Sequence, residues 1–309
     1  MVSAILYKIT KKIFTNLISY KRILLILLRN SFEHPSFYLK DYLNIIKSIL
    51  LKFLNEFPHV KFDYISRKIN RVNFNFYFHF NPRYRGMFLG LNSLPVVNAL
   101  LSNLKKGSIF LDAGANVGYI SAIGVSIVGK KGEVHSFEPV PLYYQKLFEL
   151  KKLNPRYKIY TNNFALGNTN EKSKISLSRD IMGDNTLIST LLVPERVKDV
   201  IQISVQRLDD YVIKNELSNI SLIKVDVEGY ELFLLEGLTK YLEKVKFDLP
   251  IIVLEVNPSA YPFIGKSLND LKQFIDNYNY IALSIDEKRI LDVTNLKKLT
   301  DIILKQKNM

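Results

Sequence analysis

The chain lacks cysteine and tryptophan and has only four histidines among its 309 residues. Without cysteine there can be no disulfide, no thiolate metal site and no cysteine nucleophile, and the redox compartment stays open. His34, His59, His79 and His135 are not spaced as a pair on one helix, so no metal site is expected. A spanning segment is missing from the first thirty residues. The longest unbroken apolar stretch there, residues 23–28, is far below the ~20 residues a membrane helix needs. Basic residues recur through that segment instead of preceding it, and no small-residue cleavage site follows, unlike a secretory signal. The remaining composition is ordinary for a globular chain, 48% hydrophobic and 23% charged. The length suits one large domain, or one domain plus an extension.

The net charge of +14 is uneven: residues 1–100 hold 15 Lys and Arg against 4 Asp and Glu, while the rest hold 28 against 25. In residues 1–30, Leu6, Ile9, Ile13, Leu17, Tyr20, Leu24 and Leu28 recur near helical spacing, with six basic residues between them. Two readings fit: an interfacial helix on an anionic membrane, or an amphipathic helix packed on its own domain or a partner. The expected location is the cytoplasm, with peripheral contact at the inner face of the membrane under the first reading. Residues 36–56 read as another helix. In VNFNFYFHF, Val72, Phe74, Phe76, Phe78 and Phe80 alternate with polar residues, which predicts a strand buried on one face. With KFDYISRKI before the pair Asn70-Arg71, it forms one arm of a hairpin. Aromatic residues among basic ones could also form a nucleic-acid platform, but period-two phenylalanines favour a core, and His79 falls on the polar face. Residues 1–100 therefore read as a basic extension of amphipathic helices and a β-hairpin, and residues 101–309 as the main domain.

From about residue 101 strands and helices alternate. Strands are expected at 109–113, 133–138, 157–161, 221–226, 250–256 and 279–285, and helices at 117–128, 142–153, 231–243 and 267–277. Such alternation predicts an α/β fold with a mainly parallel sheet covered by helices on both faces. YIALSID-EKR-ILDV predicts a C-terminal antiparallel hairpin at the sheet's edge. Residues 179–200 show no period and read as a long loop, of the kind usually tied to function.

The densest signal is SIFLDAGANVGYISAIGV, a hydrophobic strand, a glycine turn and a helix start. Gly114 allows a sharp turn, and Gly118 allows close packing or ligand approach. The helix start suggests unpaired N–H groups and a positive dipole end for a carboxylate or phosphate. Asp112 ends the strand, where open α/β sheets bind ligands. Glu138, twenty residues past Gly118, is placed to accept hydrogen bonds from two ribose hydroxyls. Turn, helix and acidic strand end in register specify an adenosine-type ligand. NAD sites prefer G-x-G-x-x-G and a P-loop needs Lys-Ser/Thr after its last glycine. The spacing D-x-G-x-x-x-G fits S-adenosylmethionine instead.

FLDAGANVGYIS, HSFEPVP, NNFALGN, VQRLDDYV, IKVDVEGYE and IIVLEVNP occur in that order. In these blocks the sequence resembles the FkbM-type methyltransferases over roughly residues 108–260. The resemblance implies a Rossmann-like class I methyltransferase fold and methyl transfer from S-adenosylmethionine to an oxygen, commonly a hydroxyl of a sugar or secondary metabolite. It implies that Asp112, Gly114, Asn116 and Gly118 shape the methionine pocket and that Glu138 holds the ribose. Asn163 and Phe164 would then lie near the adenine, though Phe164 also suits plain core packing. His135, inside the second strand, reads as a buried structural histidine.

Asp226 and Glu228 follow a continuous apolar strand, two residues apart, so an extended chain turns both to one face. They are the candidate catalytic pair, as base and orienter or as a grip on the acceptor's hydroxyls, with turn formation and capping as the alternative. Glu231 suits a helix start, and Glu255 is a second acceptor-side candidate. A small-molecule or glycan acceptor, including a lipid-linked sugar, is expected. Nucleic-acid methylation is the rival enzyme reading. A nearly neutral core without an N/D-P-P-Y-like motif speaks against it, and no nucleic-acid partner is expected. A cofactor-binding protein without turnover and a nicotinamide oxidoreductase are the other rivals.

Overall fold

The computed structural model describes residues 64–77, 87, 92–179, 185–188, 191 and 193–307. The expected helices in residues 1–30 and 36–56, together with Phe78, His79 and Phe80, lie outside the described residues.

The first element is the expected hairpin, β1 (Tyr64–Ile69) pairing antiparallel with β2 (Val72–Tyr77). Asn70 sits at φ 56°, the left-handed conformation a two-residue hairpin turn calls for. Val72 and Phe74 are buried, whereas Asn73 and Asn75 are half-buried. After α1 (Leu94–Asn103) come β3 (Ile109–Ala113), α2 (Tyr119–Val128), β4 (Glu133–Phe137), α3 (Pro141–Leu153) and β5 (Lys158–Asn162). The hairpin packs on α2 and α3: Phe74 meets Tyr119 edge-on at 6.2 Å, and the Asn154 side chain accepts from the Asn73 N–H and donates to the Asn73 carbonyl, both at 2.8 Å.

A small sheet interrupts the alternation. β6 (Ala165–Gly167), β7 (Glu171–Ser178) and β8 (Val197–Arg207) pair in the order β6-β8-β7, and α4 (Leu208–Lys214) follows. The alternation then resumes with β9 (Ile220–Val225), α5 (Glu231–Glu236), α6 (Thr239–Val245), β10 (Ile251–Val256), α7 (Leu268–Asn277), β11 (Tyr280–Ser284) and β12 (Thr300–Gln306). The main sheet runs β11-β12-β10-β9-β3-β4-β5, parallel except for β12, which is antiparallel to both neighbours. This is the expected Rossmann-like class I methyltransferase fold. The chain winds outward from β3 to β5 and later from β9 to β10, so the switch point lies between β3 and β9.

Three details differ from the sequence reading. Residues 231–243 form two helices, because the turn at Gly237 lies on the backbone of β6. A Cβ there would stand 2.0 Å from the Gly167 carbonyl oxygen. The C-terminal antiparallel pair exists, but β11 takes β12 as its partner. ILDV contributes one isolated bridge, Leu283 to Ile290. Ile302, Ile303 and Leu304 are fully buried, whereas Ile290 is exposed, so burial favours the later strand. The expected loop 179–200 is shorter than its limits, since residues 197–200 belong to β8 and Thr186 bridges back to Ser176.

Candidate active site at the carboxyl edge of the sheet

β3 is buried throughout its last four residues and ends in Asp112-Ala113. The glycine turn after it is closed by its own backbone. The N–H groups of Gly114 and Ala115 donate to the Phe137 carbonyl at 3.1 and 2.9 Å. The Asn116 N–H donates to Glu138 Oε2 at 2.8 Å, the Val117 N–H to Asn116 Oδ1 at 2.8 Å, and the Gly118 N–H to the Ala115 carbonyl at 2.8 Å. The helix itself begins at Tyr119, so this turn precedes the helix-start N–H groups expected to face a carboxylate or phosphate. All five N–H groups of the turn are engaged, so the turn itself is no cradle for a phosphate or carboxylate.

The two glycines are needed for packing. Gly114 has φ 75°, and a Cβ on it would stand 1.8 Å from the Asp226 carbonyl oxygen. Gly118 has φ 87° and faces Leu147 and Leu150 of α3, which a Cβ would meet at 2.9 and 3.2 Å. Asn116 holds φ 52° and caps Val117 with its side chain.

Glu138 is the anchor beside this turn. It is buried, Oε2 accepts from Asn116, and Oε1 accepts the Val140 N–H at 2.9 Å. Burial pushes its carboxyl up to about 7, against the pull of those two N–H donors. Each oxygen keeps a second lone-pair direction for a ribose hydroxyl. Asn163 donates through Nδ2 to the Glu138 and Pro139 carbonyls at 2.9 and 3.0 Å, fixing the end of β4. Phe164 is half-buried in an aromatic cluster with Phe137 and Tyr211, at ring separations of 5.6 and 6.0 Å. His135 is buried, 2.8 Å from the Tyr211 hydroxyl and stacked on Tyr160, and burial pushes it down to about 4. A neutral, packed imidazole is structural.

Strand register extends the site sideways. Asp112 stands opposite Ser136 on β4 and Lys224 on β9, Lys224 opposite Val253, and Glu255 opposite Asp301. Side chains two apart share a face. Glu138, Asp112, Lys224, Asp226, Glu255 and Asp301 therefore form one polar row along the carboxyl edge. The opposite face carries Leu111, Ala113, Phe137, Ile223, Val225, Ile252, Leu254 and Ile302, all in the main core.

Lys224 organises the middle of the row. Its Nζ donates to the Ala113 and Gly114 carbonyls at 3.2 and 3.0 Å, and lies 3.4 Å from Asp112 Oδ1 and 3.2 Å from Asp226 Oδ2. Burial alone would release its proton, but the charges of Asp226 and Asp112 outweigh that and hold it firmly protonated. Asp112 is fully buried. Its Oδ2 accepts from Ser121 at 2.6 Å, while Oδ1 has no hydrogen-bond donor among the described residues. The sequence reading missed Lys224, although a lysine inside the apolar strand ISLIKV is a visible signal.

Asp226 and Glu228 lie just past β9, both half-buried. Glu228 takes φ 54°, so the chain is not extended there, and its carbonyl accepts from Thr186 at 2.8 Å. Glu231 is fully buried at the start of α5. Its Oε1 accepts the Gly229 N–H at 2.8 Å, and burial pushes it up to about 7.

The groups suit S-adenosylmethionine. An anchored carboxylate with lone pairs to spare, Glu138, would suit the hydroxyls of a ribose. The row of carboxylates would suit a ligand that carries a cationic sulfonium, with Asp112 held beneath it by Lys224 and Ser121.

The chain is similar to several known proteins. The model of the FkbM methyltransferase domain matches residues 112–282. The hexuronic acid methyltransferase AglP of Haloferax volcanii is 25% identical over 178 residues, 57% of this chain and 68% of that protein. Among solved structures, a TehB-like S-adenosylmethionine-dependent methyltransferase of Corynebacterium glutamicum is 14% identical with a TM-score of 0.38, covering 73% of this chain and 95% of that one. Fibrillarin of Aeropyrum pernix with natively bound S-adenosyl-L-methionine is 12% identical with a TM-score of 0.36, covering 80% and 84%.

Proposed function

The chain belongs to the FkbM methyltransferase family and is an S-adenosylmethionine-dependent methyltransferase; from that premise we propose that it methylates a hydroxyl oxygen of a sugar, in a glycan or on a lipid carrier. The likeness to a hexuronic acid methyltransferase carries this reading. The chemistry of the row supports it, because half-buried carboxylates are good acceptors for the several hydroxyls of a sugar. Asp112, Gly114, Asn116, Gly118 and Glu138 serve the cofactor, with Asn163 and Phe164 at its adenine end. When bound, the cofactor supplies an electrophilic methyl group. Asp226 and Glu228 receive the acceptor: one accepts the proton of the reacting hydroxyl and the other orients it. A negatively charged sugar would have to keep its own carboxylate away from the acids of this row, which favours a neutral hydroxyl as the reacting group.

Residues 1–100 act as a basic extension that brings the domain of residues 101–309 to an anionic membrane through residues 1–30. Among the described residues no helix is long and apolar enough to cross a membrane. Binding to anionic vesicles at low salt that fades at high salt supports this part, and no binding at low salt rejects it.

Mass spectrometry of glycans and lipids from cells with and without the gene tests the acceptor class. One methyl mass missing from a sugar-bearing species in the deleted strain is the expected result. Unchanged glycans and lipids, with a methyl lost from RNA instead, would replace this reading.

A further inference from the structure

The short segment of residues 185–188, past β7, touches both ends of the site. Thr186 is buried, and its backbone pairs both ways with Ser176: the Ser176 N–H donates to the Thr186 carbonyl at 2.9 Å, and the Thr186 N–H to the Ser176 carbonyl at 3.1 Å. Asn185 accepts the Ser178 N–H at 2.8 Å and hydrogen-bonds the Tyr143 hydroxyl, on which the charge of Glu138 acts. Ile188 is buried against Gly229, on the acceptor side.

The segment meets a strained turn there. The Tyr230 N–H donates to the Val227 carbonyl at 3.4 Å, closing four residues whose central pair, Glu228 and Gly229, have φ 54° and 98°. Glycine, asparagine or aspartate suits the first of these positions, and a glutamate there persists only when its surroundings hold it. Three contacts do so. The Thr186 hydroxyl donates to the Glu228 carbonyl at 2.8 Å, and Glu231 Oε1 accepts the Gly229 N–H at 2.8 Å. Gly229 itself is wedged between Ala260 and Ile188, which a Cβ would meet at 2.7 and 2.9 Å.

A threonine hydroxyl has one proton to give and two lone pairs to accept with. Here it accepts the Ile188 N–H at 3.1 Å, which leaves its proton directed at the Glu228 carbonyl. The hydroxyl thus fixes one edge of the Glu228–Gly229 peptide, and Glu231 fixes the other. Without the hydroxyl the turn can relax, because Gly229 tolerates either sign of φ and Glu228 prefers a negative one. The Glu228 side chain would then leave the backbone in another direction. Asp226 needs no such hold, since its N–H still donates to the Ala113 carbonyl at 3.3 Å, continuing the sheet.

We propose that Thr186 is a positioning residue for catalysis: through the Glu228 carbonyl it holds the strained turn that aims the Glu228 carboxylate at the acceptor's hydroxyl. The inference rests on the reading of Glu228 as one of the two acceptor-side carboxylates, and it names what keeps that carboxylate in place.

Transfer of a deuterated methyl group by the whole chain, from S-adenosylmethionine to glycans and lipids extracted from cells without the gene, reads the effect. Thr186→Val nearly keeps the shape and removes the hydroxyl, so turnover should fall about tenfold to hundredfold while affinity for S-adenosylhomocysteine holds. Thr186→Ser keeps the hydroxyl and should restore most of the rate. In a Glu228→Gln background Thr186→Val should cost little more, because the two residues act as a unit. Crystals of Thr186→Val should show the Glu228–Gly229 turn relaxed. Where that variant does not fold, Thr186→Ala, which also lacks the hydroxyl, takes its place. Full activity without the hydroxyl, an unrelaxed turn, no rescue by Thr186→Ser, or a loss that simply multiplies with that of Glu228→Gln overturns the proposal and leaves the reading of Glu228 intact. Undiminished turnover in Glu228→Gln, or no label on any sugar with the wild type, overturns that reading and the proposal with it.

Discussion

At the β3–β4 end of the carboxyl edge the functional groups are held by backbone. Both Glu138 oxygens accept main-chain N–H groups, the five N–H groups of residues 114–118 are all engaged, and Gly114 lies against the Asp226 main chain. At the β9–β12 end the groups are held by charge. Asp226, Glu255 and Asp301 share the field of one buried lysine, and Glu231 leaves an oxygen unsatisfied. The first end is fixed by its own main chain. The second is a cluster of acids from separate strands arranged around one cation. Substitutions at the first end should therefore act on binding and melting, and those at the second on rate.

The largest contrast is expected at Asp226 and Glu228. Asp226→Asn or Glu228→Gln should lower turnover by about 10²–10⁴ while cofactor affinity changes little. Methyl-label transfer alongside calorimetry checks this. A rate within a few-fold of wild type in both variants would mean that neither takes the proton and that positioning alone does the work.

Gly114→Ala comes next. Its Cβ would overlap the Asp226 carbonyl oxygen, and φ 75° strains any side chain. A destabilisation of about 3 kcal/mol or more, seen as a lowered melting temperature, is expected, with loss of cofactor binding.

Glu138→Gln keeps the shape but removes the charge, so affinity for S-adenosylmethionine should fall about tenfold or more. pH should move binding and stability in opposite directions. Glu138 is raised to about 7 in the folded protein, so the stability its protonated form contributes is present below its unfolded value and is lost as pH rises through about 7. Ribose hydroxyls donate to the ionised form, so cofactor affinity should improve over that same window and weaken about tenfold per pH unit below it. Affinity that is flat from acid to neutral pH would remove Glu138 from the ribose.

The smallest effect is expected at Ser121→Ala, which takes from the buried Asp112 its donor at 2.6 Å. A loss of about 1–2 kcal/mol in melting experiments, with turnover nearly unchanged, would confirm that Ser121 only orients Asp112.

The same contrast explains what was legible in the sequence. Strand β3, the glycine turn and Glu138 could be read because each is a local pattern with one structural solution, a left-handed turn between an apolar strand and a helix. The carboxylate row could not, since Asp112, Lys224, Glu255 and Asp301 come from four separated strands and meet only through sheet register. Asp301 lies beyond an expected hairpin whose wrong arm was favoured, because ILDV and TDIILKQ are both plausible strands and only burial chooses between them. The sheet β6-β8-β7 escaped because EKSKISLS and VKDVIQISV are mostly exposed or half-buried, with two buried positions each to betray a period. Gly237 looked like an ordinary residue within a helix, and its meaning depends on the neighbouring backbone of Gly167.

The central claim is that the edge carries a methyl donor at one end and a sugar hydroxyl at the other. Incubating the whole chain with S-adenosylmethionine bearing a deuterated methyl group, and with neutral hexose and hexuronic acid acceptors, tests it most directly by mass spectrometry. The account predicts a deuteromethyl group on a sugar hydroxyl, formed more slowly in Glu138→Gln at limiting cofactor and much more slowly in Asp226→Asn. Label that stays on the cofactor with every sugar, or that appears on RNA or on a protein instead, would contradict it.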